Sequence, residues 1–171
     1  GKLPYGHRGP ASIPGLAIAE FLQSSGTTAV GVAFRGDADV IPAMLAGTLD
    51  FASSSILSVT PHAGQLRVLA VFGDKRSRAL PDLPTLGERG VRMSPNRGIN
   101  GFMAPKGTPA PVLQRLRTAC AGAMRSDRVQ EVARKVGGGE DYLDAAEFAA
   151  AVRADYVAKG EIIRRLNIEA N

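Results

Sequence analysis

The chain predicts an α/β fold, a mostly parallel sheet covered by helices, with a helical segment after it. Three observations carry that reading. Short apolar stretches at 3–5, 29–34 and 49–52 alternate with segments of helical period, as in repeated strand–helix–strand units. A polar, glycine-bearing loop separates each of the first two strands from its helix. Beyond residue 100 the pattern changes to amphipathic helices opened by capping residues. A boundary near Asn100 therefore divides an α/β unit, 1–100, from a mainly helical one, 101–171.

Strand 3–5 leads into the loop Gly6-His-Arg-Gly-Pro-Ala-Ser12. Ser12 is placed to cap a helix over 13–24, with Pro14 in the tolerant first turn, Leu16, Ala17, Phe21 and Leu22 facing inward, and Gly26 ending it. Strand 29–34 and the turn Arg35-Gly-Asp-Ala-Asp39 follow. The next helix carries Val40, Ile41, Met44 and Leu45 and closes at Gly47. Strand 49–52 spills into Ser53-Ser-Ser55. Arg67-Val-Leu-Ala-Val-Phe72 reads as a further strand. Pro81, Pro84, Gly87 and Gly90 then dictate a loop, with at most a short helix at Thr85 and Glu88, which have capping-box spacing. Residues 99–104 read as a strand. Thr108-Pro109 opens a helix with Val112, Leu113, Leu116, Ala119, Cys120 and Ala123 on one face. Ser126 caps a shorter helix stopped by Gly137-Gly-Gly139. Asp144 with Glu147 opens the last helix, through Phe148, Val152, Tyr156, Ile162 and Ile163.

Bulk properties narrow the function. The 44 % hydrophobic and 22 % charged content of 171 residues suits a globular protein with a real core. No apolar run reaches the roughly 18 residues that a membrane span requires. Cys120 is the single cysteine, which excludes an internal disulfide and a cysteine-based zinc site; on an apolar helix face it is expected to be a buried, inert thiol. The net charge of +5 comes from scattered basic residues, with no aromatic side chains interleaved. That argues against nucleic acid and for an anionic small molecule. Gly-x-Ser-x-Gly, Walker and His-Glu-x-x-His patterns are absent, so neither an enzyme nor a cofactor site is expected.

Chemistry-bearing residues gather at predicted strand ends. The loop 6–12 joins a strand's carboxyl end to a helix N-terminus, where unpaired N–H groups and the helix dipole favour an anion. His7, Arg8 and Ser12 add side-chain donors. Arg35-Gly-Asp-Ala-Asp39 repeats that geometry, with Asp37 or Asp39 expected as a helix cap, and Ser54 follows the third strand at the same edge. In open α/β sheets ligands collect at this edge. The expected ligand-contacting set is His7, Arg8, Gly9, Ala11, Ser12, Arg35, Gly36, Asp37, Ala38 and Ser54, with backbone N–H groups of Gly9, Ser12 and Gly36 holding a carboxylate.

Seven motifs in order support a resemblance. They are the loop Tyr5 to Ser12, Val32-Ala-Phe-Arg-Gly36, Gly47-Thr-Leu-Asp50, Ala63-Gly-Gln-Leu-Arg-Val-Leu-Ala-Val71, Leu80-Pro-Asp-Leu-Pro-Thr85, Gly101-Phe-Met-Ala-Pro-Lys-Gly-Thr-Pro109 and Ala145-Ala-Glu-Phe148. Their order and wording resemble the Bug-type substrate-binding receptors of tripartite tricarboxylate transporters along essentially the whole chain. The resemblance implies a periplasmic, two-lobed clamshell of the type II binding-protein class, closing on a small carboxylate and handing it to membrane subunits of the transporter. Residues 1–100 would be the second lobe and 101–171 the C-terminal part of the first. The match begins well inside a typical member, so a missing N-terminal lobe segment, or a self-association partner, is expected to complete the structure. An interaction or sensory module on the same scaffold is the alternative. Ala11 stands where the family usually has glycine, Asp37 replaces the second glycine of Arg-Gly-Gly, and Ile99 sits where many members carry tryptophan. His7 and Arg8 replace small residues, which implies an unusual ligand or a degenerate site.

Overall fold

The computed structural model describes residues 3–73, 75–94, 98–136 and 142–168. Its centre is β1 (Leu3–His7), which runs two residues further than the sequence predicts. It pairs in parallel with β2 (Ala29–Ala33), from Leu3 opposite Ala29 to His7 opposite Ala33. On its other side it pairs in parallel with β3 (Phe51–Ala52). The order β2-β1-β3 is generated by two helical crossovers, α1 (Ile13–Ser25) and α2 (Asp37–Leu45). Because the chain goes to one side of β1 and then to the other, a crevice opens at the carboxyl ends of β1 and β3.

Period-2 alternation assigns the two faces of the sheet. On one face a Cβ at Gly6 would lie 2.7 Å from Leu49 Cδ1 and 3.2 Å from Val40 Cγ1, so bare backbone lets this layer close. On the other, Tyr5 and His7 lean over Gly31, whose Cβ would meet His7 Nε2 at 2.8 Å and Tyr5 Oη at 3.0 Å. The core is Leu16, Ala17, Ile18, Val40, Ile41 and Leu49. Burying Leu16 or Ile18 stabilises by about 2 kcal/mol each.

The α1 boundaries follow the sequence. Ser12 Oγ accepts from Gly15 N–H at 3.1 Å, and Gly26 ends the helix with φ +64°. In α2, Leu45 is 42 % exposed and does not join the inward stripe. A short helix α3 (Ile56–Val59) and a 3-10 turn, Thr60–His62, follow β3.

Two predicted strands do not form. Along 67–72 only Val71 makes a bridge, parallel to Thr85: Val71 N–H donates to Pro84 O at 2.9 Å and Leu86 N–H to Val71 O at 3.0 Å. Pro84, immediately before that partner, and Pro81 lack the N–H a longer ladder needs. Residues 99–104 have no neighbouring strand among the described residues, and Phe102 and Met103 are each 90 % exposed. The Thr85–Glu88 capping box does form. Thr85 N–H donates to Glu88 Oε2 at 2.7 Å and Glu88 N–H to Thr85 Oγ1 at 3.1 Å, opening a 3-10 turn at Gly87–Arg89. The Arg76 guanidinium, 2.9 Å away, holds the Glu88 carboxyl below the ordinary range.

The remaining helices are α4 (Ala110–Met124), α5 (Asp127–Val136) and α6 (Ala145–Arg165). Asp144 and Glu147 form the expected capping box, and Ser126 Oγ accepts from Val129 N–H at the start of α5. The Gly137-Gly-Gly139 stop lies outside the described residues. The predicted inward face of α4 is not covered: the helix buries no residue, Val112 and Leu116 are about half exposed, and Cys120 is half-buried, not buried. Among the described residues of α6 only Ile162 is fully buried. Gly101 packs flush on Phe148, where a Cβ would lie 2.4 Å from Cζ. No helix among the described residues is long and apolar enough to cross a membrane.

Candidate functional site

The three strands deliver their following segments to one edge of the sheet. His7, ending β1, is buried; its Nδ1 accepts the Gly9 N–H at 2.9 Å, and its ring lies 5.5 Å from that of Tyr5. Ser12 donates its hydroxyl to Gly9 O at 2.7 Å, and its N–H bonds the same carbonyl at 3.2 Å. The loop is thus closed on itself. Two of the three N–H groups expected to receive an anion, at Gly9 and Ser12, already have internal acceptors, and the Ser12 hydroxyl serves the helix cap. Ala11 lies in the same loop, half-buried.

The second junction is more open. Gly36 is the N-cap of α2 and carries no side-chain cap, so Asp37 is the first helical residue and not the cap. In this first turn Asp39 N–H donates to Gly36 O at 3.1 Å, while the N–H groups of Asp37 and Ala38 have no carbonyl one turn back within the helix. Ala38 and Arg35 are exposed beside it. The Asp37 side chain, 10 % exposed, turns toward β3: its Oδ2 accepts from Ser55 N–H at 3.2 Å and from the Ser58 hydroxyl at 3.0 Å. Arg8 Nε approaches Oδ1 at 3.3 Å, an ionic contact without hydrogen-bond alignment. Burial raises the cost of ionising Asp37, but the bonds from Ser55 and Ser58 outweigh it and hold the carboxyl below its ordinary range. Ser54 faces the same carboxylate, yet its buried Oγ has no aligned partner.

Loops after β1, β2 and β3 therefore meet through Arg8, Asp37, Ser55 and Ser58. Sequence reasoning named the first two as ligand contacts and read Ser55, with Ser53 and Ser54, as a turn or ligand contact at this edge; it missed Ser58 and His62, which line a groove with Asp37. Ser55-Ile-Leu-Ser58 has the spacing of a serine-capped turn, and that signal was legible. Sequence reasoning also missed a second cluster. Glu20, 4 % exposed, accepts from Ser94 N–H at 2.9 Å, from the Ser94 hydroxyl and from the Arg165 guanidinium, tying α1 to α6 beside a cavity of about 390 Å³. A single glutamate in the apolar run Ala17-Ile-Ala-Glu-Phe-Leu22 was its only trace.

Comparisons with known proteins point one way. A family model described as "Tripartite tricarboxylate transporter family receptor" matches residues 1–168. A UPF0065 protein of Cupriavidus necator is 27 % identical over 169 residues, covering 98 % of this chain and 51 % of that protein. A solved periplasmic transporter superposes with a TM-score of 0.82 at 26 % identity, over 99 % of this chain and 57 % of its own. An R. palustris protein solved with adipate gives 0.80 at 24 % identity, over 96 % and 56 %. This chain spans about half the length of the curated relative. The α/β binding-protein architecture expected from the sequence is borne out.

Proposed function

The chain belongs to the tripartite tricarboxylate transporter receptor family, and from that premise we propose that it forms part of a periplasmic receptor that captures a small carboxylate without changing it chemically. The observation that carries this reading is the carboxyl edge of the sheet. Arg8, in ionic contact with Asp37, and the exposed Arg35 lie at the first turn of α2, where the N–H groups of Asp37 and Ala38 and the helix dipole favour an anion. The crevice at that edge is where open α/β sheets hold ligands. Residues 1–100 are assigned to one lobe and 101–171 to the C-terminal part of the other, with α6 returning to α1 through Glu20 and Arg165.

The exposed apolar residues of the helical part fit that assignment. Phe102, Met103, Leu116 and Tyr156 are the surface that the rest of a two-lobed receptor would cover. Lobe closure would then exclude water from the bound carboxylate and present the closed form to the transporter's membrane subunits. Calorimetric titration of the complete receptor polypeptide with a panel of mono-, di- and tricarboxylates tests the proposal. Saturable binding of at least one member is expected, weakened about tenfold or more by Arg8→Ala or Arg35→Ala. No saturable binding of any member would remove the receptor reading.

A further inference from the structure

The positive charge at the carboxyl edge of the sheet is balanced within the protein. Arg8 lies 3.3 Å from Asp37 Oδ1. Burial opposes the charge on Asp37, but its donors Ser55 and Ser58 keep it ionised at neutral pH. Asp39, also in the first turn of α2, is exposed and adds a second negative charge beside Arg35. Two arginines and two aspartates thus cancel, and the helix dipole leaves roughly half a positive charge for a ligand. A groove of about 540 Å³ leaves this edge along α2, with Ala38, Ile41, Pro42 and Leu45 as its apolar wall. No lysine or arginine lines it, and its serine, Ser58, already donates to Asp37. At 1.5 Å per residue the wall from Ala38 to Leu45 is about 10 Å long, room for an aliphatic chain. A carboxylate placed along it would lose hydration without gaining a counter-charge.

We propose that the site, on the receptor reading above, selects a singly charged carboxylate with an aliphatic tail, and that Asp37 determines the exclusion of di- and tricarboxylates. The ligand's carboxylate meets the exposed Arg35 at the start of α2, and its methylenes lie along the wall that ends at Leu45. Asp37 acts through its charge. By compensating Arg8 it withholds the second cation that a dicarboxylate needs.

Calorimetric titration of the complete receptor with octanoate, octanedioate, succinate and acetate separates charge from tail. Octanoate is expected to bind at least about tenfold more tightly than each of the others. Asp37→Asn leaves Arg8 uncompensated and should reduce the preference for octanoate over succinate by about tenfold. Leu45→Lys, at a side chain 42 % exposed, puts a cation beside the tail. It should reduce the preference for octanoate over octanedioate by about threefold. Circular dichroism melts confirm that the variants fold; if Asp37→Asn does not, the wild-type ratios and the Leu45 variant carry the test. Octanedioate, succinate or acetate binding as tightly as octanoate, or unchanged ratios in the folded variants, overturns the inference and leaves the receptor reading intact. Binding of other carboxylates but none of these four does the same. No binding of any carboxylate overturns both.

Discussion

The α/β part and the helical part of this chain carry similar apolar periodicities and treat them differently. In α1 and α2 the periodic residues Leu16, Ala17, Ile18, Val40 and Ile41 are buried against the sheet. In α4, and in α6 as far as Tyr156, the equivalent stripe stays largely open: Val112 is 46 % exposed, Leu116 48 %, Val152 42 % and Tyr156 80 %, and only Ile162, near the end of α6, is buried. Periodicity identifies which face of a helix is apolar. Whether that face is covered depends on what stands opposite it, and a parallel sheet brings its own cover because the crossover helices must pack on it.

The largest effects should expose this contrast. Leu16→Ala removes a side chain that is 1 % exposed and should cost about 3 kcal/mol in urea unfolding of this chain. Leu116→Ala, on the open face, should cost less than about 0.5 kcal/mol. Equal costs would break the comparison; a rise in the Leu116 cost within the complete receptor would sharpen it. Next comes the buried polar tie between the two parts at Glu20. Glu20→Ala strands Ser94 and Arg165 and should cost about 2 kcal/mol, with Arg165 half exposed and free to rehydrate. Smaller again is Asp144→Ala. It removes acceptors for the Ala146 and Glu147 N–H groups and should cost about 1 kcal/mol, read as lost helicity on heating.

How much of this was legible from the residues follows the same division. Caps and punctuation act within three or four residues, so Ser12, Gly26, the Thr85–Glu88 box and the Asp144–Glu147 box could be read locally. Strands need partners, and segments 67–72 and 99–104, though apolar, find at most one bridge. Edge chemistry was partly legible: strand–helix alternation places Arg8, Arg35 and Asp37 at a common edge. That Asp37 turns to Ser55 and Ser58, 18 and 21 residues away, depends on the β2-β1-β3 order, which no local pattern encodes. The tie from Glu20 to Arg165, across 145 residues, was illegible for the same reason.

The finest distinction between the two parts lies in acid. Asp37 is held below its ordinary range: burial opposes its charge, and the donors Ser55 and Ser58 more than offset that opposition. Its folded value therefore lies below the unfolded one, near 3.9. A carboxyl lowered in this way contributes stability that is complete above the unfolded value and disappears as pH falls through the folded one. Asp37→Asn cannot gain or lose that charge. Wild type should thus exceed the variant in stability at pH 7, and the gap should narrow below about pH 4, read from urea midpoints across the range. The open face of α4 offers a control, since Leu116→Ala removes no titrating group and its small cost should not vary with pH. A gap between wild type and Asp37→Asn that stays constant from pH 7 to pH 2 would mean that the serine donors hold the shape of the side chain and not its charge.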